Sequence, residues 1–456
     1  MSNISGLYLE NIFLVFVSYF LILLINKKTS SQSAVLLLVI LTFHHVVAYV
    51  YAFYLSLPQN EVDPIGFLYL ASDCANSGYC GYFGPHLFGN YLATVLALGH
   101  SIYFVYLLNV LFFVISIYFF IGIADVLSLK GNRKIYIFLY SMWPSVIFYT
   151  TLNYREPFEL YLLIAGIYFG LTGSQSDSFL RMLISMILLF IMGIFHMKGL
   201  TFLSPVLLII LVSYRFSFTI LSVAKKVALL IIMSVAVYSS QGMYTDFLNE
   251  VSISKQEAEL ENKISDNTKS DTEKAQEKVL NKNRLTYEKN KKDWLSNRNY
   301  PASDPGIFNT FMRKVTYYRE SLTWEREPRT VFVSTISDRS IPVFIATYFL
   351  AYLEYLFSPF IFQVNSFPSL LAYAESVLRV FLFASTLMLV KRYPQVRVLF
   401  IIYLAITAMW AIGVVSYGAS IRHHIQTNWI LVLLGVPIIS EYISRQFCLK
   451  KTTRAT

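Results

Sequence analysis

Polar residues able to do chemistry are scarce in this chain and fall into a few short constellations. The stretch from Leu57 to Asn90 carries Asp63 and Asp73 among glycines and aromatic residues and closes on Gly84-Pro85-His86. A carboxylate there can take a proton from a hydroxyl as general base, or do no more than cap a helix. In Arg155-Glu156-Pro157, proline suits a first helical turn and Glu156 is favourable at a helix N-terminus. Arg155 can then hold a phosphate bidentately beside that helix end, or pair with Glu156 to fix a turn. Arg422-His423-His424 offers a cation and two imidazoles titrating near pH ~6.5. Such a turn can hold a diphosphate and protonate a leaving group, or serve as a polar turn at an interface. Adjacent histidines point to different helix faces, so they are a poor metal pair.

Four further groups are weaker. Lys198 sits with His196 in the turn between two apolar runs. Glu375 and Arg379, four apart on one helix face, suit a local ion pair. His44-His45 lies inside an apolar run and suits packing. Arg313, Lys314, Arg319, Arg326 and Arg329 form a basic run interleaved with Tyr317, Tyr318 and Trp324. Such a run can touch an anionic lipid head or a polysaccharide, or simply be a solvated face.

The elements that must position these residues are apolar. Of 456 residues 56% are hydrophobic and 14% charged, with mean hydropathy +0.54. A soluble domain carries about 25% charged residues, so a soluble enzyme is excluded. No Walker loop, GxGxxG, HExxH or paired CxxC is present. Chemistry must therefore come from polar groups kept near a membrane, where they are expensive. Apolar runs fall near 11–26, 33–56, 92–128, 135–152, 157–173, 179–197, 199–213, 222–241, 341–357, 370–390, 398–417 and 426–443. A span needs about 20 such residues, so the pattern predicts an all-α polytopic membrane protein with about 10–12 transmembrane helices. Cys74 and Cys80 can close a short disulfide if their loop is extracytoplasmic.

Charge sets the expected sidedness. The net charge of +10 reads as an orientation signal rather than a nucleic-acid footprint. Of 37 Lys and Arg residues, 17 lie in 241–340, and 16 of the other 20 fall in short connections or the tail that alternate as cytoplasmic. The N-terminus is then outside and the C-terminus cytoplasmic. Loop 57–90, the Arg155 turn, 241–340 and the Arg422 turn lie on the outer face. This parity asks 341–369 to enter and leave on one side, which the Ser358-Pro359 and Phe367-Pro368 breaks would suit. Three regions follow: an N-terminal bundle over 1–240, a hydrophilic extracytoplasmic insert over 241–340, and a C-terminal bundle over 341–456. The first half of the insert reads as a solvated arm, and the aromatic-rich second half as a cap over the outer face.

The order of these features resembles a known group. Asp63…Asp73 is followed by Leu108-Asn109 in a Phe/Tyr-rich helix and by a Pro144-containing helix ending in Tyr154-Arg155-Glu156. Near the end come Tyr355-Leu356-Phe357-Ser358-Pro359-Phe360 and Gly418-Ala419-Ser420-Ile421-Arg422-His423. Together these are similar to the O-antigen and capsule polysaccharide polymerases of bacterial surfaces and to the related GT-C-type membrane glycosyltransferases. The likeness is spread along most of the chain apart from 245–300.

The resemblance implies a GT-C-like fold in a bacterial inner membrane and a polyprenyl-diphosphate-linked oligosaccharide as donor. The activity implied is the joining of such repeat units at the outer leaflet. A transferase adding one sugar from a polyprenyl-phosphate donor, and a polysaccharide or lipid flippase, are the alternatives. Asp63, Asp73 or His423 would be catalytic. Arg155, Glu156, Arg422, His86, Lys198, Arg319 and Arg329 would hold diphosphate or sugar. Membrane lipid, and a flippase and chain-length regulator of the same pathway, are the implied partners, and nucleic acid is not. No soluble cofactor is implied, and no ligand cluster argues for a metal, although a divalent cation is compatible with the chemistry.

Overall fold

The computed structural model describes residues 9–26, 31–54, 62–77, 84–152, 154–196, 199–214, 219–240, 306–324 and 332–452. Among them the chain is all-helical, with no β-strand. Seven helices are long and apolar enough to cross a membrane, and three shorter apolar helices accompany them, an architecture consistent with a polytopic membrane protein.

The outward faces carry the same message. In α1 (Leu9–Asn26), Asn11 and Ser18 are buried while Phe13, Phe16 and Phe20 are exposed. In α11 (Ile220–Ser240), Ser222 and Lys226 are buried while Leu221, Ile231 and Val235 are exposed. Polar-in, apolar-out helices would expose costly surface to water, but they suit a lipid solvent in which polar groups pair internally.

The chain forms two compact units. The first comprises Met1–Gln241, Val377–Ile406 and His424–Thr456. It contains α1, α2 (Ser31–Phe53), α3 (Val62–Ser77), α4 (Gly84–Gly99), α5 (Ile102–Val126), α6 (Arg133–Ser141), α7 (Pro144–Thr150), α8 (Glu156–Ser176), α9 (Phe179–His196), α10 (Gly199–Ser213) and α11. Most of α14 (Phe367–Arg392), α15 (Arg397–Gly413) and α16 (Tyr417–Thr452) also belongs to it.

The centre of this unit is α8 packed on α5, α9 and α10. Gly166 and Gly170, one turn apart, make the approach possible. A Cβ on Gly170 would lie 2.7 Å from the Leu211 side chain and 2.9 Å from the Ser185 hydroxyl. That hydroxyl in turn donates to the Gly166 carbonyl at 2.7 Å. Small residues four apart let helices meet closely where no hydrophobic effect drives them together.

Three sequence expectations change. The single apolar run 92–128 is divided into α4 and α5 at Gly99-His100-Ser101, where His100 has φ 52°. Ser101 caps α5 by accepting from the Phe104 N–H at 3.2 Å, and Asn11 donates to the same hydroxyl at 3.2 Å. Loop 57–90 holds α3, because Phe67, Ala71 and Cys74 recur at helical spacing and are buried. The Arg422-His423-His424 turn is helical. Ser416 accepts from the Ala419 N–H at 3.3 Å, an N-cap that starts α16 at Tyr417 and places the three residues in its second turn.

The second unit, Gly242–Ser376 with Thr407–His423, holds α12 (Gly306–Trp324) and α13 (Ile341–Phe357). Its core is Val315, Ile336 and Ala351, flanked by Phe344, Tyr348 and Ile412. Arg319 is buried at its centre and donates through Nη1 to the Ala411 and Val414 carbonyls at 2.7 and 2.8 Å and through Nη2 to the Ser334 carbonyl at 3.4 Å. Those first two carbonyls belong to the end of α15, where helical partners run out. Glu354 accepts from the Val333 and Ser334 N–H groups, each at 2.8 Å, and from the Ser334 hydroxyl. Burial lowers the Arg319 guanidinium to about 10, against the raising effect of Glu354, so it stays charged at neutral pH. The described part of the insert, 306–324 and 332–340, therefore packs against α13 and the end of α15, and Arg319 braces it there.

Gly170→Leu would overpack the α8 seam by about 1–3 kcal/mol or more, and should lower the thermal midpoint of the purified protein in detergent. Arg319→Met should cost about 1.5–3 kcal/mol in the same measurement, the usual range for hydrogen bonds from a charged donor.

Candidate functional site

A polar cluster lies within the first unit, at the N-terminal end of α8. Asn109, buried in α5, donates to the Leu152 carbonyl and, at 3.3 Å, to that of Tyr154, which fixes the connection leading into α8. Arg155 follows as the N-cap residue and Pro157 occupies the first turn, with Glu156 and Glu159 beside it. The four unpaired N–H groups and the dipole of a helix start favour those acids.

Glu159 is the centre of the cluster and is fully buried. Its carboxylate meets His196 Nδ1 at 2.9 and 3.0 Å, accepts from Gln426 Nε2 at 2.9 Å, and lies 3.5 Å from Arg155 Nε. Arg155 in turn reaches the Phe195 carbonyl and His196 Nε2, each at 3.5 Å. With Nδ1 donating to the carboxylate, the imidazole presents Nε2 as its acceptor nitrogen. Both Arg155 and His196 keep a partly accessible side chain, at 12% and 9%. The arrangement is a buried carboxylate that orients an imidazole next to a guanidinium. It can take up a proton at Nε2 and hold an anion at the guanidinium.

Aromatic rings line the same region. Arg155 Cζ lies 5.9 Å from the Phe67 ring centroid, within cation–π range. Phe67 contacts Phe88 edge-on, Tyr91 stacks on Phe158 at 5.6 Å, and Phe158 meets Phe195 at 4.9 Å. Phe158 and Phe195 of this wall come from α8 and α9, and Phe67, Phe88 and Tyr91 from the helices α3 and α4. The latter two helices can approach closely at Gly89, where a Cβ would meet the Leu70 and Cys74 side chains at 2.7 and 2.9 Å.

The other sequence candidates are placed as follows. Glu156 is fully buried in the first turn of α8, and Asp73 is exposed on α3. His86 is half-buried in the first turn of α4. Asp63 lies in the first turn of α3, its side chain outside the described residues. Lys198 and Arg329 lie outside them altogether, as does residue range 245–300. In the second unit Arg422 is half-buried, and His423 stacks on Trp410 with ring centroids 3.7 Å apart. Arg319, expected to touch substrate, is the brace described above. Cys74 is disulfide-bonded; Cys80, its expected partner, lies outside the described residues.

No pattern in the sequence joins Glu159, His196 and Gln426. Glu159 carried the clearest signal, a second carboxylate four residues after Arg155 in an otherwise apolar run. Gln426 is 267 positions away, and no local pattern connects it to Glu159. Among the described residues no group of three or more His, Cys, Asp or Glu side chains is placed to hold a metal ion. Comparison with protein-family models, curated proteins and solved structures finds no match.

Glu159→Ala would leave two buried or half-buried basic groups facing an emptied carboxylate site, and should destabilise the protein by about 3–5 kcal/mol. Glu159→Gln keeps the shape and one acceptor oxygen, and should fall well short of that loss. Thermal unfolding of both variants in detergent checks the order.

Proposed function

We propose that the chain is a glycosyltransferase of the bacterial inner membrane that joins polyprenyl-diphosphate-linked oligosaccharide repeat units at the outer leaflet. The observation that carries this is the Glu159–His196–Arg155 cluster at the start of α8, set in an apolar bundle beside an aromatic wall. A lipid carrier needs apolar helices beside its reacting end, a diphosphate needs a cation, and sugar rings stack on aromatic faces.

Arg155 neutralises the diphosphate as charge develops on it. His196, oriented through Nδ1 by Glu159, takes the proton of the acceptor hydroxyl at Nε2. The acceptor oxygen bonds to the anomeric carbon, the anomeric carbon–oxygen bond breaks, and the lipid diphosphate departs with its electron pair. His196 thereby takes the role first assigned to Asp63, Asp73 or His423. The apolar surroundings limit hydrolysis. The disulfide at Cys74 supports an outer-face location for this end of the unit, since disulfides persist in oxidising compartments.

Deleting the gene in its host should leave single-repeat surface glycan, and wild type should restore the ladder. Arg155→Ala and His196→Asn, expressed at wild-type level, should each restore under about a hundredth of it, the usual scale of one charge-stabilising or proton-transfer group. Arg422→Ala, tested in parallel, measures the second expected cation. An unchanged ladder in the deletion strain would overturn the polymerase, and truncated repeats would identify a single-sugar transferase.

A further inference from the structure

At the opposite end of α8 and α5 from Arg155, the first unit contains a cleft of about 480 Å³ that the reaction above does not use. It lies where the turn after α5 meets the end of α14 and the later part of α16. Its polar lining includes Ser128, Lys130, Tyr393 and Gln395, and its apolar lining Leu389 and Ile438. The volume falls within the ~300–1,000 Å³ range of small-ligand sites.

The turn is held in one conformation. Ser128 has φ 52°, the Leu129 N–H donates to the Ala124 carbonyl at 2.9 Å, and the Asn132 N–H reaches Ser440 Oγ at 3.4 Å. Gly131 is needed there, because a Cβ would lie 2.6 Å from the Tyr136 hydroxyl. Between these anchors, the Lys130 and Gly131 N–H groups donate to no acceptor among the described residues. Consecutive free N–H groups in a turn form a concave anion site.

Charge agrees. The carboxylate in the lining, Glu441, is paired with Arg392 at 2.7 Å, and nearby Asp125 with Arg133 at 2.7 Å. Lys130 is exposed and has no ion pair among the described residues. The cleft thus combines a cation and free N–H donors with an apolar part of its lining, at one end of the first unit's helices.

We propose that this cleft binds a phosphate ester anion. Leu389 and Ile438, in the same lining as Lys130, favour the head group of an anionic glycerophospholipid over a free phosphate compound. Basic pockets between helix ends are suited to such head groups.

The test is native mass spectrometry of the full chain in detergent with phosphatidylglycerol or phosphatidylcholine added, repeated with excess glycerol phosphate. Lys130→Glu is compared with Arg181→Glu, an exposed charge at the start of α9 that is not part of the cleft lining. Phosphatidylglycerol adducts should exceed phosphatidylcholine adducts, and Lys130→Glu should reduce them about fivefold or more while Arg181→Glu does not. Persistence of the adducts in glycerol phosphate identifies the lipid head group, and their displacement identifies a soluble phosphate ester as the ligand. Equal adducts from the two lipids, or equal loss in the two variants, would overturn the site.

Discussion

A carboxylate inside an apolar bundle must be partnered, and much of the first unit is arranged around that requirement. Glu159 draws Arg155 from its own helix, His196 from the end of α9 and Gln426 from α16. An isolated ionised carboxylate away from water would cost many kcal/mol, whereas two hydrogen-bond donors and a neighbouring guanidinium make its burial tolerable. The same constraint fixes which way the imidazole faces. Because Nδ1 is committed to Glu159, Nε2 is left beside Arg155, and the geometry useful for chemistry follows from the geometry needed for burial.

The second unit solves a related problem in a different manner. Arg319 supplies donors to carbonyls at the end of α15, and Glu354 supplies acceptors to the backbone of 333–334. Each charged side chain stands in for secondary structure that is missing where a helix or segment stops. Of the basic residues interleaved with aromatics in the insert, at least this one acts inward. Its position on the buried face of α12, with Met312, Val315 and Thr316, explains why.

Much of the fold was legible in the sequence because apolar runs of span length have few alternatives to helix. The runs near 179–197, 341–357 and 370–390 match α9, α13 and α14 closely. What was not legible were breaks inside apolar stretches, such as Gly99-His100-Ser101, where the polar cost is met by Asn11 from another helix. Arg155 stood out because a cation before Pro157 is conspicuous. His196 was noticed only as a neighbour of Lys198, since its partner Glu159 lies 37 positions away. Glu375 and Arg379, expected from their spacing to share one helix face, are both buried in α14.

The distance along the chain between Glu159 and Gln426 also has a consequence for biogenesis. The ribosome must add 267 residues after Glu159 before Gln426 exists. At about 5–20 residues per second this takes roughly 13–53 s. For most of that interval α8 and α9 already exist, and of the three partners described for the carboxylate Gln426 alone has still to be made. The nascent protein therefore holds an unfinished site until its last helix arrives, and a chain truncated before α16 would be left in that immature state.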